Sequence, residues 1–320
     1  MSLHRPRASL TGVQPGDLVH LSPDDAGWDW VGLRVVALTP GRPRRLLTGA
    51  AEVFVLPLSG SVRVTVAAAS DPDVPEAVFE LAGRESVFTR VTDFAYVGRD
   101  SEVTLVSDGA AEVALPSARC THRLAARYGP ADQVPVEVRG AGSASRQVTS
   151  FGVPGVWDHA ERLSCCELIT PPGNWSSYPP HKHDLTCEVV NEEIYYYRIA
   201  GADQVSPSAV GFGLHRTYTG PEHVPAGLAE IDLFAEVRDG DVVLVPHGFH
   251  GPCVAAPGYP MYYLNVLAGP GDDRSMAFCD DPAHTWIRTG WADDAVDPRV
   301  PVTDAAGRVS PPDLPCWSQP

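Results

Sequence analysis

Two histidines one residue apart, His181 and His183 in Pro179-Pro180-His181-Lys182-His183-Asp184, are side chains that could act together. In an extended strand residues i and i+2 project from the same face, so both imidazoles point one way and Lys182 points the other. An acid follows at Glu188 or Glu193, and another imidazole stands at His247 or His250, just after the expected strand 241–245 and the turn Pro246-His247-Gly248. Two neighbouring imidazoles, a carboxylate and a distant imidazole suit a first-row divalent metal with open coordination positions. Lys182 is the only lysine of the chain, although Lys and Arg together number 24. A general bias toward arginine accounts for the rest of that composition but not for a lysine between two candidate ligands.

These residues must be held by elements that are short and extended. Gly and Pro number 29 and 31, and they punctuate brief runs rich in Val, Leu and Tyr such as 33–38, 53–58, 62–66, 103–106, 194–199, 242–245 and 261–266. Such punctuation predicts an all-β sandwich or barrel with little helix; the one modest helical candidate is 221–230. The two halves echo each other. Glu52-Val53-Phe54-Val55-Leu56 resembles Glu193-Ile194-Tyr195-Tyr196-Tyr197, and a Gly-initiated strand follows in each half, at Gly83 and at Gly240. A duplicated β-barrel is therefore expected: a first barrel over 1–135, a connection over 136–160, a second barrel over 161–290, and an extended tail over 291–320 lying on the surface.

Composition limits the function classes. A chain of 320 residues with 44% hydrophobic and 20% charged residues fits about two folded domains. A formal charge of −16 argues against a nucleic-acid surface, and it requires any anionic ligand to be drawn in by a local cationic pocket. No apolar run is long enough to span a membrane, and the N-terminal segment lacks the apolar core of a signal peptide. The seven cysteines show neither a CxxC pair nor a disulfide framework, which predicts a reducing, cytoplasmic setting, with Cys187 a buried structural thiol.

Longer motifs carry a resemblance. His181-x-His183 with a following Glu, and Gly240-x5-Pro246-x-Gly248-x-His250, resemble the two metal-binding motifs of the cupin superfamily, the second one residue short. The strings from Asn174-Trp175-Ser176-Ser177-Tyr178 through Asp184, Glu192-Glu193-Ile194-Tyr195-Tyr196-Tyr197-Arg198 and Tyr262-Tyr263-Leu264-Asn265-Val266 are similar to the 5-deoxy-glucuronate isomerases, as are Ala268-Gly269-Pro270 and Asp281-Pro282-x-His284-x-Trp286. These are a bicupin ketol-isomerase family of myo-inositol catabolism. The resemblance covers most of 1–290 and is strongest over 174–286.

It implies two tandem cupin-type barrels and one divalent ion (zinc, manganese or iron) on His181, His183, Glu193 and His250. Glu193 is selected because the family's carboxylate precedes the aromatic strand, while Glu188 keeps the better generic spacing. The first half offers Glu52 but no histidine pair, which implies a metal-free, structural barrel. The implied reaction is aldose–ketose isomerisation of 5-deoxy-D-glucuronate to 5-dehydro-2-deoxy-D-gluconate. Glu193, His247 and His284 are the acid–base candidates. Arg198 and Arg216 are candidates for the substrate carboxylate, with Tyr263 and Asn265 lining the pocket. The expected partner is a small-molecule sugar acid, with no nucleic acid or membrane, and pairing through sheet edges into a homo-oligomer is compatible with this fold. The alternatives are a hexosulose-uronate ketol-isomerase of pectin breakdown and a sugar-acid-binding cupin without turnover.

Overall fold

The computed structural model describes residues 2–10, 12, 14–69, 75–200, 210–220 and 222–309. Among them the α-helices are limited to the four-residue turns Pro23–Ala26 and Ile287–Gly290. The helical candidate at 221–230 is turn and loop over its described part, 222–230; three Pro and Gly residues in ten leave no helical face to bury. Pro221 itself lies outside the described residues.

The duplication is visible in strand order. In the first half Phe94–Val97, Ala51–Ala68, Ala111–Arg119 and Val31–Leu38 are successive neighbours. In the second, Val242–Val245, Glu192–Ile199, Met261–Ala268 and Ser164–Thr170 repeat that arrangement. The long strand Ala51–Ala68 serves both walls of its barrel. It pairs with Ala111–Arg119 before a register shift at Pro57/Ser59, and with Ala77–Arg84 after a second shift at Gly60/Val62. Gly60 makes that bend possible: φ is +76°, and a Cβ there would stand 2.7 Å from the Ala110 carbonyl oxygen.

Side-chain alternation sorts the residues into three cores. Val53, Val55, Val62, Val64, Val66 and their neighbours fill the first barrel with aliphatic side chains. On Glu192–Ile199, Tyr195 and Tyr197 enter the second barrel, while Ile194 and Tyr196 face the first half. That central layer joins Phe54 and Phe94 from one side to Phe151, Tyr262, Leu264 and Val266 from the other, so the barrels share a continuous apolar seam.

Two carboxylates, Glu52 buried and Glu192 half-buried, lock the seam in a matching way. Glu52 accepts from the amides of Glu161, Arg162 and Leu163, at 2.8, 2.6 and 2.7 Å, and from the Tyr96 hydroxyl. Glu192 accepts from the amides of Asp29, Trp30 and Val31 at 2.7, 2.8 and 3.1 Å. Each carboxylate thus fastens the chain entering a strand of the other half, Ser164–Thr170 for Glu52 and Val31–Leu38 for Glu192. The structural counterpart of Glu52 is Glu192, not Glu193.

The chain ends also cross between halves. His4–Arg5 adds to the edge of the second-half sheet beside Val242–Val245. The segment expected to lie on the surface after 290 is partly inside: Val300 and Val302 are buried, and Gln147 Oε1 accepts from the amides of Val302 and Thr303. Alternating valines and a buried amide partner give that stretch the properties of core rather than of a loose tail. Positions 310–320 lie outside the described residues.

Candidate metal centre

One wall of the second barrel is the six-stranded sheet, in which the short strand His181–Lys182 pairs with Phe249–Ala255 so that His181 stands opposite His250. Glu193 comes from the opposing wall, near the start of Glu192–Ile199. Within the six-stranded sheet the chain leading to His181 packs closely on Gly251: its φ is +94°, and a Cβ would fall 2.5 Å from the Ser177 carbonyl oxygen.

His183, Glu193 and His250 converge, all buried, with their ligand atoms within 4.8 Å of one another. Glu193 Oε2 lies 2.9 Å from both His183 Nε2 and His250 Nε2. The other ring nitrogens are tied back: Nδ1 of His183 donates to the Asn191 carbonyl at 2.9 Å, and Nδ1 of His250 to the Gly248 carbonyl at 3.0 Å. A carbonyl can only accept, so both imidazoles carry a proton on Nδ1 and turn Nε2 toward the carboxylate, the orientation that outer hydrogen bonds impose on metal-binding histidines. His250 Nε2 is buried and makes no hydrogen bond of proper geometry. The residues present fit a divalent cation. His181 packs on the His250 ring at 4.8 Å between centroids but stands outside the three-group cluster.

Electrostatics follow from the same crowding. Burial pushes the Glu193 carboxyl up, but His183 and His250 beside it prevail and hold it below the usual carboxylate range. Burial lowers His183, yet its bond to Glu193 and the charge there leave it raised. Burial and the neighbouring His250 leave His181 well below an ordinary imidazole. Deeper in the barrel His215 is lowered by burial to about 3, and its ring is held between the Tyr197 hydroxyl and Thr217 Oγ1 at 2.6 and 2.8 Å.

The cluster opens into a cavity of about 800 Å³ whose lining includes His181, Tyr195, Asn265 and Arg146. Several expected site residues do not reach it. His247 is turned away to the Ala229 carbonyl at 2.9 Å, and His284 sits in the turn after Asp281; neither lines the cavity. Arg198 points to the other side of its strand, where it pairs with Asp239 and Glu112. Arg216 pairs with Asp232 on the outer sheet. Alternation explains both: each arginine is offset by an odd number of residues from an inward-facing neighbour, Tyr197 or His215. Tyr263 is fully buried and does not line the cavity; its hydroxyl is 2.6 Å from Ser176 Oγ and from Ser177 Oγ, and Ser177 is itself part of the lining. Asn265 does line the cavity, and its Nδ2 has no partner. Glu188 is exposed on the loop between His183 and Glu193. Tyr195 lines the cavity without being among the expected site residues, though its spacing of two from Glu193 on one strand is a usable signal. Arg146 gave no such signal, because it follows the Gly- and Ser-rich stretch 140–145.

Two residues near the cluster have structural roles. Cys187 is bonded to Cys279 in a disulfide, which corrects the expectation of a free buried thiol; the partners are separated by 92 residues, so spacing alone offered no clue. Lys182 is buried on the far side of its strand. Its ammonium contacts Thr186 Oγ1, lies 3.7 Å from Asp184 Oδ1, and sits 4.7 Å from the Phe249 ring centre. Asp184 Oδ2 in turn accepts from the Gly248 amide at 3.0 Å, so this compact cation steadies the turn that leads to His250. Lys182→Arg forces a larger planar group into that space and is expected to destabilise by about 1–3 kcal/mol with near-normal turnover. Thermal melts beside an activity assay check this; lost turnover at wild-type stability would contradict it.

Comparison with known proteins agrees with this architecture. The family model described as the KduI/IolB family matches residues 5–287. A protein of Geobacillus thermodenitrificans named 5-deoxy-glucuronate isomerase is 37% identical over 280 residues, covering 86% of this chain and 92% of its own. One of the same name from Bacillus subtilis strain 168 is 36% identical over 278 residues, covering 84% of this chain and 92% of its own. Among solved structures, an IolB-like protein from Salmonella typhimurium superposes with a TM-score of 0.75 at 30% identity, covering 90% of this chain and 100% of that one. Oxalate decarboxylase of Bacillus subtilis, at 12% identity and a TM-score of 0.59, shares the bicupin fold over 88% of this chain and 79% of its own.

Proposed function

The chain belongs to the KduI/IolB family, and from that premise we propose that it is a metal-dependent aldose–ketose isomerase converting 5-deoxy-D-glucuronate to 5-dehydro-2-deoxy-D-gluconate. The observation that carries this reading is the convergence of His183, Glu193 and His250 at a cavity of about 800 Å³, in a chain whose relatives bear the name of that isomerase. The pathway implied is myo-inositol breakdown in the cytoplasm.

His183, Glu193 and His250 would hold the ion, with His181 completing the set from its place against His250. Bound there, a divalent cation supplies Lewis acidity toward a carbonyl and its neighbouring hydroxyl. The reaction moves one proton from C2 of the open-chain sugar acid to C1 through an enediolate, while the carbonyl shifts from C1 to C2. Glu193 is the one of the three acid–base candidates that reaches the cavity; it carries that proton if the ion rests on the histidines alone, and otherwise serves as a ligand. Burial keeps the Tyr195 hydroxyl protonated, so it remains a donor beside the developing oxyanion. The unpartnered Asn265 Nδ2 is available to a substrate hydroxyl. Val148, Leu168 and Leu267 form apolar wall that limits water around the intermediate.

The test is turnover with 5-deoxy-D-glucuronate beside the hexosulose uronate of pectin breakdown, with dissolved oxygen monitored. Ketose formed from the first at a kcat/KM at least about tenfold higher is the expected result. Preference for the second would reassign the substrate, and oxygen uptake in step with substrate loss would replace the isomerase by a dioxygenase.

A further inference from the structure

We infer that Arg146 is the residue that binds the carboxylate of the sugar acid, in the same cavity as the histidine–glutamate cluster. This rests on the isomerase reading for the identity of the ligand, and on independent observations for the location of the anion site.

The side chain of Arg146 is charged, buried and without a counter-charge. It opens the strand Arg146–Gly152, is 6% exposed, and lines the cavity with His183, Glu193 and Asn265. Its single hydrogen bond runs from Nη1 to the Ala144 carbonyl at 3.2 Å, and Nε has no partner. Among the described residues no carboxylate pairs with it. The Trp291 ring covers one face, 5.6 Å from the guanidinium carbon. A guanidinium held out of water with most of its donors idle is costly unless an anion completes it.

The surroundings increase the demand for an anion. Arg139 is the register partner of Arg146, and Arg288 also lines the cavity. Both lie close enough to disfavour its charge, and with burial the larger cause they bring Arg146 down to about 10. These two neighbours are already paired, Arg139 with Glu137 at 2.9 Å and Arg288 with Asp280 at 2.6 Å. Arg146 alone of the three offers an unclaimed fork. In a chain with a formal charge of −16 this wall is a local cationic patch, and a planar carboxylate is the group that matches a guanidinium fork. Its neutral competitor, a hydroxymethyl group at the same carbon, would leave that charge unanswered, so the residue sets acid-over-neutral specificity.

The experiment uses the full-length, metal-loaded protein and two unreactive probes, D-gluconate and its neutral counterpart D-glucitol, titrated calorimetrically. Wild type is expected to bind gluconate more tightly. Arg146→Gln should weaken gluconate by about 10–100-fold while leaving glucitol unchanged, Arg146→Lys should fall between, and Arg216→Gln should match wild type. Equal binding of the two probes by wild type, or unchanged gluconate binding in Arg146→Gln, overturns the assignment. If Arg146→Gln does not fold, Arg146→Lys decides: gluconate affinity equal to wild type overturns it, and a selective loss supports it. On 5-deoxy-D-glucuronate the variant should raise KM by the same factor with kcat changed less. Absence of any turnover by wild type would remove the isomerase reading while leaving the binding comparison to judge Arg146.

Discussion

His183→Ala is expected to lose bound metal and isomerase turnover together while the β-fold stays intact. His183 follows a two-residue strand and contributes little to the apolar seam; its bonds are to Glu193 and to the Asn191 carbonyl. Removing it leaves Glu193 with one imidazole in place of two. Loss of an outer hydrogen-bond partner to a ligand costs about 10–100-fold in metal affinity or activity, so loss of the ligand should exceed ~100-fold. Circular dichroism should remain that of the wild type, and elemental analysis should read near zero. Glu188→Ala is the matched control: the side chain is exposed, so metal content and turnover should be those of wild type. Metal retained by His183→Ala would contradict the proposed centre, and metal lost from Glu188→Ala would make Glu188 a ligand.

The second large effect concerns the seam between barrels rather than the chemistry. Arg84 of the first half and Glu167 of the second form an ion pair with side chains 2% and 4% exposed. Tyr262 donates to Glu167 at 2.7 Å, and Arg84 Nε donates to the Pro57 carbonyl at 3.0 Å. Burial works against the Arg84 charge, and Glu167 more than offsets it. Truncating one member leaves the other buried and uncompensated, which typically costs about 3–5 kcal/mol. Glu167→Ala is therefore expected to lower the unfolding free energy by that amount in urea melts. The double variant Arg84→Met/Glu167→Leu should recover most of it, because apolar replacements of similar volume restore packing without desolvating a charge. A cost below about 1 kcal/mol for Glu167→Ala would mean that the pair does not hold the halves together.

Much of this was legible in the sequence because two periodicities act locally. The alternation of Glu193, Tyr195 and Tyr197 against Ile194 and Tyr196 declared a strand with two different buried faces, and the i, i+2 spacing of His181 and His183 put them on one edge. The repeat of the strand runs that begin at Glu52 and at Glu193 signalled the doubled barrel. What could not be read depends on where faces point after the chain closes. Arg198 and Arg216 looked suitable because they lie near the motifs, yet each occupies the phase of its strand that faces away from the cavity: Arg198 turns to Asp239 and to Glu112 of the first half, and Arg216 to Asp232 on the outer sheet. Arg146 follows a stretch without periodicity, and only the closed barrel shows that it turns inward. The Glu52 pairing with the chain near Leu163 spans the two halves and leaves no local trace, which is why Glu193 rather than Glu192 seemed to be its counterpart. The Cys187–Cys279 bond is equally long-range.

The most direct measurement is turnover of 5-deoxy-D-glucuronate by wild-type protein stripped of metal with a chelator, then resupplied with zinc, manganese or iron one at a time. Loss of ketose formation on stripping and its return with at least one of these ions is the predicted result. Undiminished isomerisation by protein shown by elemental analysis to be metal-free would contradict a catalytic metal on His183, Glu193 and His250.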